Sequence, residues 1–280
     1  MDPRDDTADR TLEALGLAVA PLDRPLVYPG VWPAESGVLD GDRLLPLTRL
    51  TFTDRVPVLA VGSNASPAQL RLKLRQYGLS SSRLPLVKAR VTGLEIGVSA
   101  HVSTMGYVSA SPFGAPGHTR DLFVTWLDAA QLAAVDESEG VTRPSGAYDR
   151  VPLPATGFRV ELESGEPLDD AQLYVNRHGV LHDGTGAARR HPGERRLLTE
   201  LLAESPGLRK LFGSTPEEFC SRTRADPRLA AEGTRLFARE GRTTASGLEQ
   251  YVPTARATDH VHGQQTGSPG AGASLSPPAM

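Results

Sequence analysis

The sequence predicts an α+β fold, and three observations carry that expectation. Runs of β-branched and small apolar residues bounded by turn formers lie mainly between residues 51 and 180, beginning with Val56 to Val61. After Pro192 the apolar spacing becomes helical, with Leu197, Leu198, Leu201 and Leu202 on one face. Two of the strand-like runs lead straight into helix starts, at Ser66-Pro67 and at Asp128.

Taken in order, Thr11 to Leu17 reads as a short helix, Pro21 to Pro33 is punctuated by proline, and Gly37 to Leu47 reads as a hairpin around Asp40-Gly41. Tyr28, Trp32 and Leu39 are too apolar for a free tail, so residues 1–50 are expected to pack onto the core as an extension. Val56 to Val61 reads as a strand buried on both faces, and Gly62 then permits a backbone conformation closed to other residues. Ser66, Pro67 and Gln69 fit the N-cap, N1 and N3 positions of a helix. Its apolar stripe is Leu70, Leu74 and Tyr77, and Gly78 sits where the helix should stop. Gly93 to Val98 and Tyr107 to Ser111 read as strands, Pro112 to His118 as a loop, and Leu122 to Leu127 as a further buried strand. Asp128 and Gln131 open a helix that ends at Gly140, and Phe158, Val160 and Leu162 alternate as in a half-exposed strand. Thr215-Pro216-Glu217-Glu218 and Asp226-Pro227 open two later helices. Thr266 to Met280 is Gly, Pro, Ser and Ala without periodicity, so disorder is expected there. The expected organisation is therefore an extension over 1–50, a core over 51–190, a helical region over 191–255 and a disordered tail over 256–280.

Composition narrows the function classes. The 280 residues include 30 basic and 33 acidic ones, a formal net charge of −3, so no bulk attraction to nucleic acid is expected. No apolar run reaches the length needed to span a bilayer, and Met1-Asp2-Pro3-Arg4-Asp5-Asp6 lacks the apolar region of a signal peptide. A cytoplasmic protein without a membrane partner is the expectation. Cys220 stands alone, which excludes an intrachain disulfide, and reads as a small buried residue.

Two segments break local rules. In Val61-Gly62-Ser63-Asn64-Ala65-Ser66-Pro67 a strand turns tightly into a helix start, leaving backbone N–H donors beside partial positive charge. Such a turn either holds an anion or caps itself with its own side chains. In Asp136-Glu137-Ser138-Glu139-Gly140 three carboxylates crowd a helix C-terminus, where the dipole disfavours negative charge. Asp136 and Glu139 share a face, so each disfavours ionisation of the other, as suits a proton-transferring glutamate. A solvated acidic helix end fits the same residues.

The order of these pieces resembles the γ-glutamylcyclotransferase-like superfamily. Gly62-Ser63-Asn64 matches its turn after the first core strand, and Asp136 to Val141 matches its Asp-x-x-Glu-Gly motif. Tyr148-Asp149-Arg150 before Val151, and the strand-like Ala171 to Val175, match two later pieces. The similarity spans roughly Val56 to Asn176. It implies a small mixed β-barrel with flanking helices, and a cofactor-free, metal-free intramolecular cyclisation. In that reaction the α-amine of a γ-glutamyl amine, amide or peptide attacks its own γ-carbonyl and releases 5-oxoproline. Carried over, Glu139 is the general acid/base, Gly62, Ser63 and Asn64 hold the glutamyl group, Tyr148 lines the pocket and Arg150 is structural. His101 falls in the region that faces the ligand in that family, although a satisfied structural histidine fits equally well. Val61 stands where the family has a tyrosine, so that hydroxyl is absent.

Other arrangements are weaker. His178, His182, Asp183 and His191 fit no zinc spacing, and no Gly-x-Ser-x-Gly elbow accompanies His101 and Ser103. Asp183-Gly184-Thr185-Gly186 near Arg189, Arg190, Arg195 and Arg196 reads as a solvated basic loop before it reads as a phosphate site. Two further readings stand beside the enzyme: a small-molecule binding module without chemistry, and an interaction protein working through the C-terminal helices.

Overall fold

A computed structural model describes residues 9–48 and 54–253. The hairpin forms around Asp40-Gly41: β1 (Gly37–Asp40) pairs with β2 (Arg43–Pro46), and Gly41 takes φ +61° in the turn. Residues 11–17 make tight turns instead of a helix; Gly16 at φ +69° ends the run, and Leu12 and Leu17 are buried. Tyr28 and Leu39 are buried and Trp32 packs on the core, as their apolarity required.

β3 (Val56–Ala60) is buried over four of its five residues and leads through a single 3-10 turn, Ser63–Ala65, into α1 (Pro67–Gln76). α1 closes as Gly78 predicted: Gly78 at φ +74° donates to the Arg75 carbonyl at 3.1 Å, and Leu79 donates to Leu74 at 2.8 Å. Leu70 and Leu74 are buried, but Tyr77 is exposed at the helix end. The expected capping pair of Ser66 and Gln69 does not form. Gln69 instead accepts from the Leu22 N–H at 3.0 Å, because the 21–30 segment crosses this helix start.

β4 (Leu84–Val102) and β5 (Val108–Leu127) form one long antiparallel hairpin. The segment expected as strand, loop and strand is thus a single strand. Its irregular stretch, Pro116-Gly117-His118, is absorbed where Thr92 faces Thr119 and Gly93 faces Ala115, with Gly117 at φ +78°. α2 (Ala129–Glu139) starts with the predicted reciprocal cap, Gln131 N–H to Asp128 at 2.9 Å and Asp128 N–H to Gln131 at 3.1 Å. It stops at Gly140 with φ +74°. β6 (Tyr148–Pro152), β7 (Arg159–Leu162), β8 (Gln172–Asn176) and β9 (Val180–Leu181) follow. The chain then turns helical: α3 (Glu194–Glu204), α4 (Pro206–Phe212), α5 (Pro216–Ala225) and α6 (Pro227–Arg239), with β10 (Thr243–Thr244) after them. Thr215 and Glu218 cap α5 reciprocally, and Asp226 caps α6.

The strands run β10-β9-β4-β5-β3-β8-β6, with β1 and β7 also on β4 and β2 on β1. All pairings are antiparallel except β3 with β8. The α+β class therefore holds, but the described strands do not close into the small barrel that was expected. Along its free edge β4 pairs successively with β1, β7 and β9, so the sheet splits at that edge and its ends, β10 and β6, never meet. The C-terminal helices cover the far end of the hairpin, where Val98, Ala100, Val102 and Val108 join Leu197, Leu198, Leu201, Leu202, Phe212, Phe219 and Phe237 in one apolar cluster. No helix among the described residues is long and apolar enough to cross a membrane. The tail expected to be disordered lies outside the described residues.

Candidate active site

The strand–turn–helix unit places Gly62, Ser63 and Asn64 on the wall of a cavity of about 640 Å³. Among the described residues, no group accepts a hydrogen bond from the backbone N–H of any of these three. Free donors at a helix entry are what an anionic or developing oxyanionic group needs. Gly62 has φ −144°, so its lack of a side chain serves a close approach, not a left-handed backbone. A Cβ there would lie 2.5 Å from the hydroxyl of Tyr28. Tyr28 of the N-terminal segment thus brings a hydroxyl to the turn, where it accepts from the Ala110 N–H at 2.9 Å. Nothing local in the sequence links residues 28 and 62. Val61 itself is half-buried and packs on the core.

Glu139, at the end of α2, faces this turn. Its Oε1 accepts from Asn64 Nδ2 at 3.1 Å and from Lys73 Nζ at 2.5 Å, and Lys73 also donates to Asn64 Oδ1 at 2.8 Å. Both ends of the ion pair are largely shielded, at 8 % exposure for Lys73 and 15 % for Glu139. Oε2 has no partner among the described residues. The sequence reading missed Lys73, which is buried on α1 beside Leu70 and Leu74.

The neighbouring carboxylates do not press on Glu139 as their spacing suggested. Asp136 is held by Arg150, with Nε at 2.9 Å and Nη2 at 3.1 Å, and accepts from the Tyr174 hydroxyl at 2.8 Å. Glu137 takes Arg143 and Thr142, whose hydrogen bonds hold its carboxyl below the ordinary value. Each acid has its own donors, which corrects the expectation of a mutually repelling pair. Arg150 directs its donors to Asp136 and, at 3.1 Å, to Gln172.

Tyr148 and His101 also line the cavity. Burial, with Glu139 nearby, pushes the hydroxyls of Tyr107 and Tyr148 above their ordinary value, so both remain neutral donors. His101 is buried, its ring edge-on to Tyr148 at 5.5 Å and stacked on His178 at 5.8 Å. Burial, and then His178, push it down to about 3 from 6.5. The unfolded chain therefore binds a proton that the folded one refuses between those values, and stability falls as pH drops from 6.5 toward 3. Denaturation across that range should show a shallower fall in His101→Gln; an unchanged slope would contradict a buried neutral imidazole.

Another part of the wall is the 140–147 loop. Arg177 ties it down, donating to the carbonyls of Val141, Arg143, Pro144 and Gly146 at 2.8–3.2 Å and to Asp149 at 2.8 Å. Gly146 lies against Gly140 so closely that a Cβ would sit 1.7 Å from the Gly140 carbonyl oxygen. Gly146→Ala is expected to cost about 2–3 kcal/mol, the upper part of the overpacking range, and to move Glu139 and Tyr148 apart. Urea unfolding reads the first effect, and ligand affinity the second.

Among the described residues no three His, Cys, Asp or Glu side chains gather to hold a metal ion. Arg189, Arg195 and Arg196 are each paired with glutamates, Arg189 and Arg196 with Glu200 and Arg195 with Glu217, so they do not form a phosphate cluster. Cys220 is buried, and burial pushes its thiol up to about 12.

No protein-family model and no curated protein sequence matches this chain. Solved structures give partial likenesses. One is an uncharacterised protein from Homo sapiens, at 20 % identity over 44 % of this chain and 66 % of that one, TM-score 0.35. Another is a gamma-glutamyl cyclotransferase, at 20 % identity over 43 % and 66 %, TM-score 0.33. A third is YkqA from Bacillus subtilis, at 12 % identity over 49 % and 43 %, TM-score 0.34. This chain spans just under two thirds of the first two and under half of the third.

Proposed function

We propose that this protein cyclises a γ-glutamyl amine, amide or peptide, releasing 5-oxoproline and the free amine without a cofactor. The observation that carries the reading is the meeting of Glu139 with the Gly62–Asn64 turn across one cavity, Asn64 Nδ2 lying 3.1 Å from Glu139 Oε1. With Oε1 anchored by Asn64 and Lys73, the open Oε2 is the atom that takes a proton from the substrate's α-ammonium. The freed amine attacks the γ-carbonyl carbon, the C–N bond of the ring forms, and the carbonyl oxygen becomes an oxyanion. The free N–H groups of Gly62, Ser63 and Asn64 are the donors for that oxygen. Glu139 returns the proton to the leaving nitrogen as the oxyanion re-forms the carbonyl and the original C–N bond breaks. The ring nitrogen gives up its second proton, so the amine departs as its ammonium ion. Nucleophile and electrophile belong to one molecule, so orientation and a single proton carrier suffice.

One observation favours a second reading, a binding module without chemistry: the pocket carboxylate already has a cationic partner in Lys73 at 2.5 Å. Incubating the protein with a panel of γ-glutamyl amines and dipeptides separates the two. The first reading requires 5-oxoproline in the product; calorimetric binding with no product at any pH selects the second.

A further inference from the structure

One polar wall of the cavity has no part in the reaction just described, and its hydrogen bonds set the state of a histidine. Asn176 is fully buried. Its Oδ1 accepts from the His178 backbone N–H at 2.8 Å, which fixes which way the amide faces. Its Nδ2 therefore turns a donor toward His101 Nδ1, 2.9 Å away. A donor can meet only a lone pair there, so Nδ1 is bare and the neutral ring carries its proton on Nε2. Nε2 has no partner among the described residues, and the ring lines the cavity. The stacking of His178 and the edge contact with Tyr148 hold the ring in that attitude.

We infer that His101 is a fixed, neutral hydrogen-bond donor whose Nε2–H binds an acceptor oxygen of the ligand, and that Asn176 is the positioning residue that sets this tautomer. Burial and His178 suppress the charged form, with the ring pushed down to about 3, so the donor neither titrates near neutral pH nor competes with Glu139 for protons. Resting on the γ-glutamyl reading, the oxygen belongs to the glutamyl part, a carboxylate or the carbonyl that becomes the ring amide. A positive charge here would attract any anion; a neutral donor on a rigid ring instead selects by position.

The test is ¹⁵N NMR of the full chain labelled at histidine, with the His101 signals identified by their loss in His101→Gln. The expected spectrum shows a protonated Nε2 and a bare Nδ1, unchanged between pH 5 and 8, and an Nε2 signal that moves when 5-oxoproline is added. Asn176→Asp offers a carboxylate to Nδ1, moves the proton there, and should weaken 5-oxoproline binding by about tenfold, the loss of one hydrogen bond. A wild-type ring protonated on Nδ1, or charged near pH 7, overturns the inference without any variant having to fold. So does an Asn176→Asp protein that shows the reversed tautomer yet binds 5-oxoproline as before. Wild-type protein that makes no 5-oxoproline overturns the γ-glutamyl reading instead, and the tautomer still decides the role of Asn176.

Discussion

Glu139→Gln is expected to lower 5-oxoproline release by about 10²–10⁴-fold, the usual share of a positioned acid/base group. The amide keeps the shape and can still accept from Asn64 and Lys73 through one oxygen, but it cannot carry a proton from the α-ammonium to the leaving nitrogen. The substitution also strips a shielded ammonium of its counter-charge, since Lys73 is only 8 % exposed. A stability loss of about 1–3 kcal/mol should accompany the loss of activity. The double variant Lys73→Met, Glu139→Gln separates the two effects: it should regain most of the stability and none of the turnover. Chromatographic assay of 5-oxoproline together with urea unfolding reads both. Turnover close to wild type in folded Glu139→Gln would remove Glu139 from the chemistry.

Asp136→Ala should produce the opposite pattern, a large loss of stability from a residue with no part in proton transfer. Asp136 is 13 % exposed and takes the Arg150 guanidinium on both oxygens and the Tyr174 hydroxyl on one. Removing it leaves a guanidinium, three-quarters shielded, with Gln172 Oε1 at 3.1 Å as its remaining partner, and a buried hydroxyl without its acceptor. The expected cost is about 3 kcal/mol, at the low end for a broken buried pair because Arg150 keeps some contact with water. For a chain of this size that is a drop in the thermal midpoint of roughly 6–12 °C. Catalysis per folded molecule should change little, since Glu139 keeps Asn64 and Lys73. A variant with unaltered stability and abolished turnover would instead make Asp136 the acid that matters.

The contrast between these two acids shows where sequence reading ran short. Both sit on the last turn of α2, three residues apart, and spacing alone made them a repelling pair. Their partners come from elsewhere in the chain: Arg150 and Tyr174 from β6 and β8, Lys73 from α1. Lys73 was hard to find because a lysine on an amphipathic helix is ordinarily given the solvent face; only the docking of α2 turns that position inward. The loop expected at Pro112 to His118 failed for a related reason. Proline and glycine are strong local turn signals, but the ladder with β4 continues across them by taking up Pro116-Gly117-His118 in a register shift.

What the residues determined by themselves were features closed within one turn of chain. These include the hairpin at Asp40-Gly41, the reciprocal caps of α2 and α5, the glycine stops at Gly78 and Gly140, and the strand–turn–helix around Gly62. The caps and glycine stops rest on bonds between positions at most five apart and the hairpin on pairs at most nine apart, so they need no knowledge of the rest of the molecule. Tertiary structure alone decided that the sheet stays open, that Tyr28 reaches Gly62, and that residues 64, 73 and 139 share one set of hydrogen bonds. Those outcomes depend on which buried faces dock and at what register, and a carboxylate's partners are settled by whatever donor that docking carries into its reach.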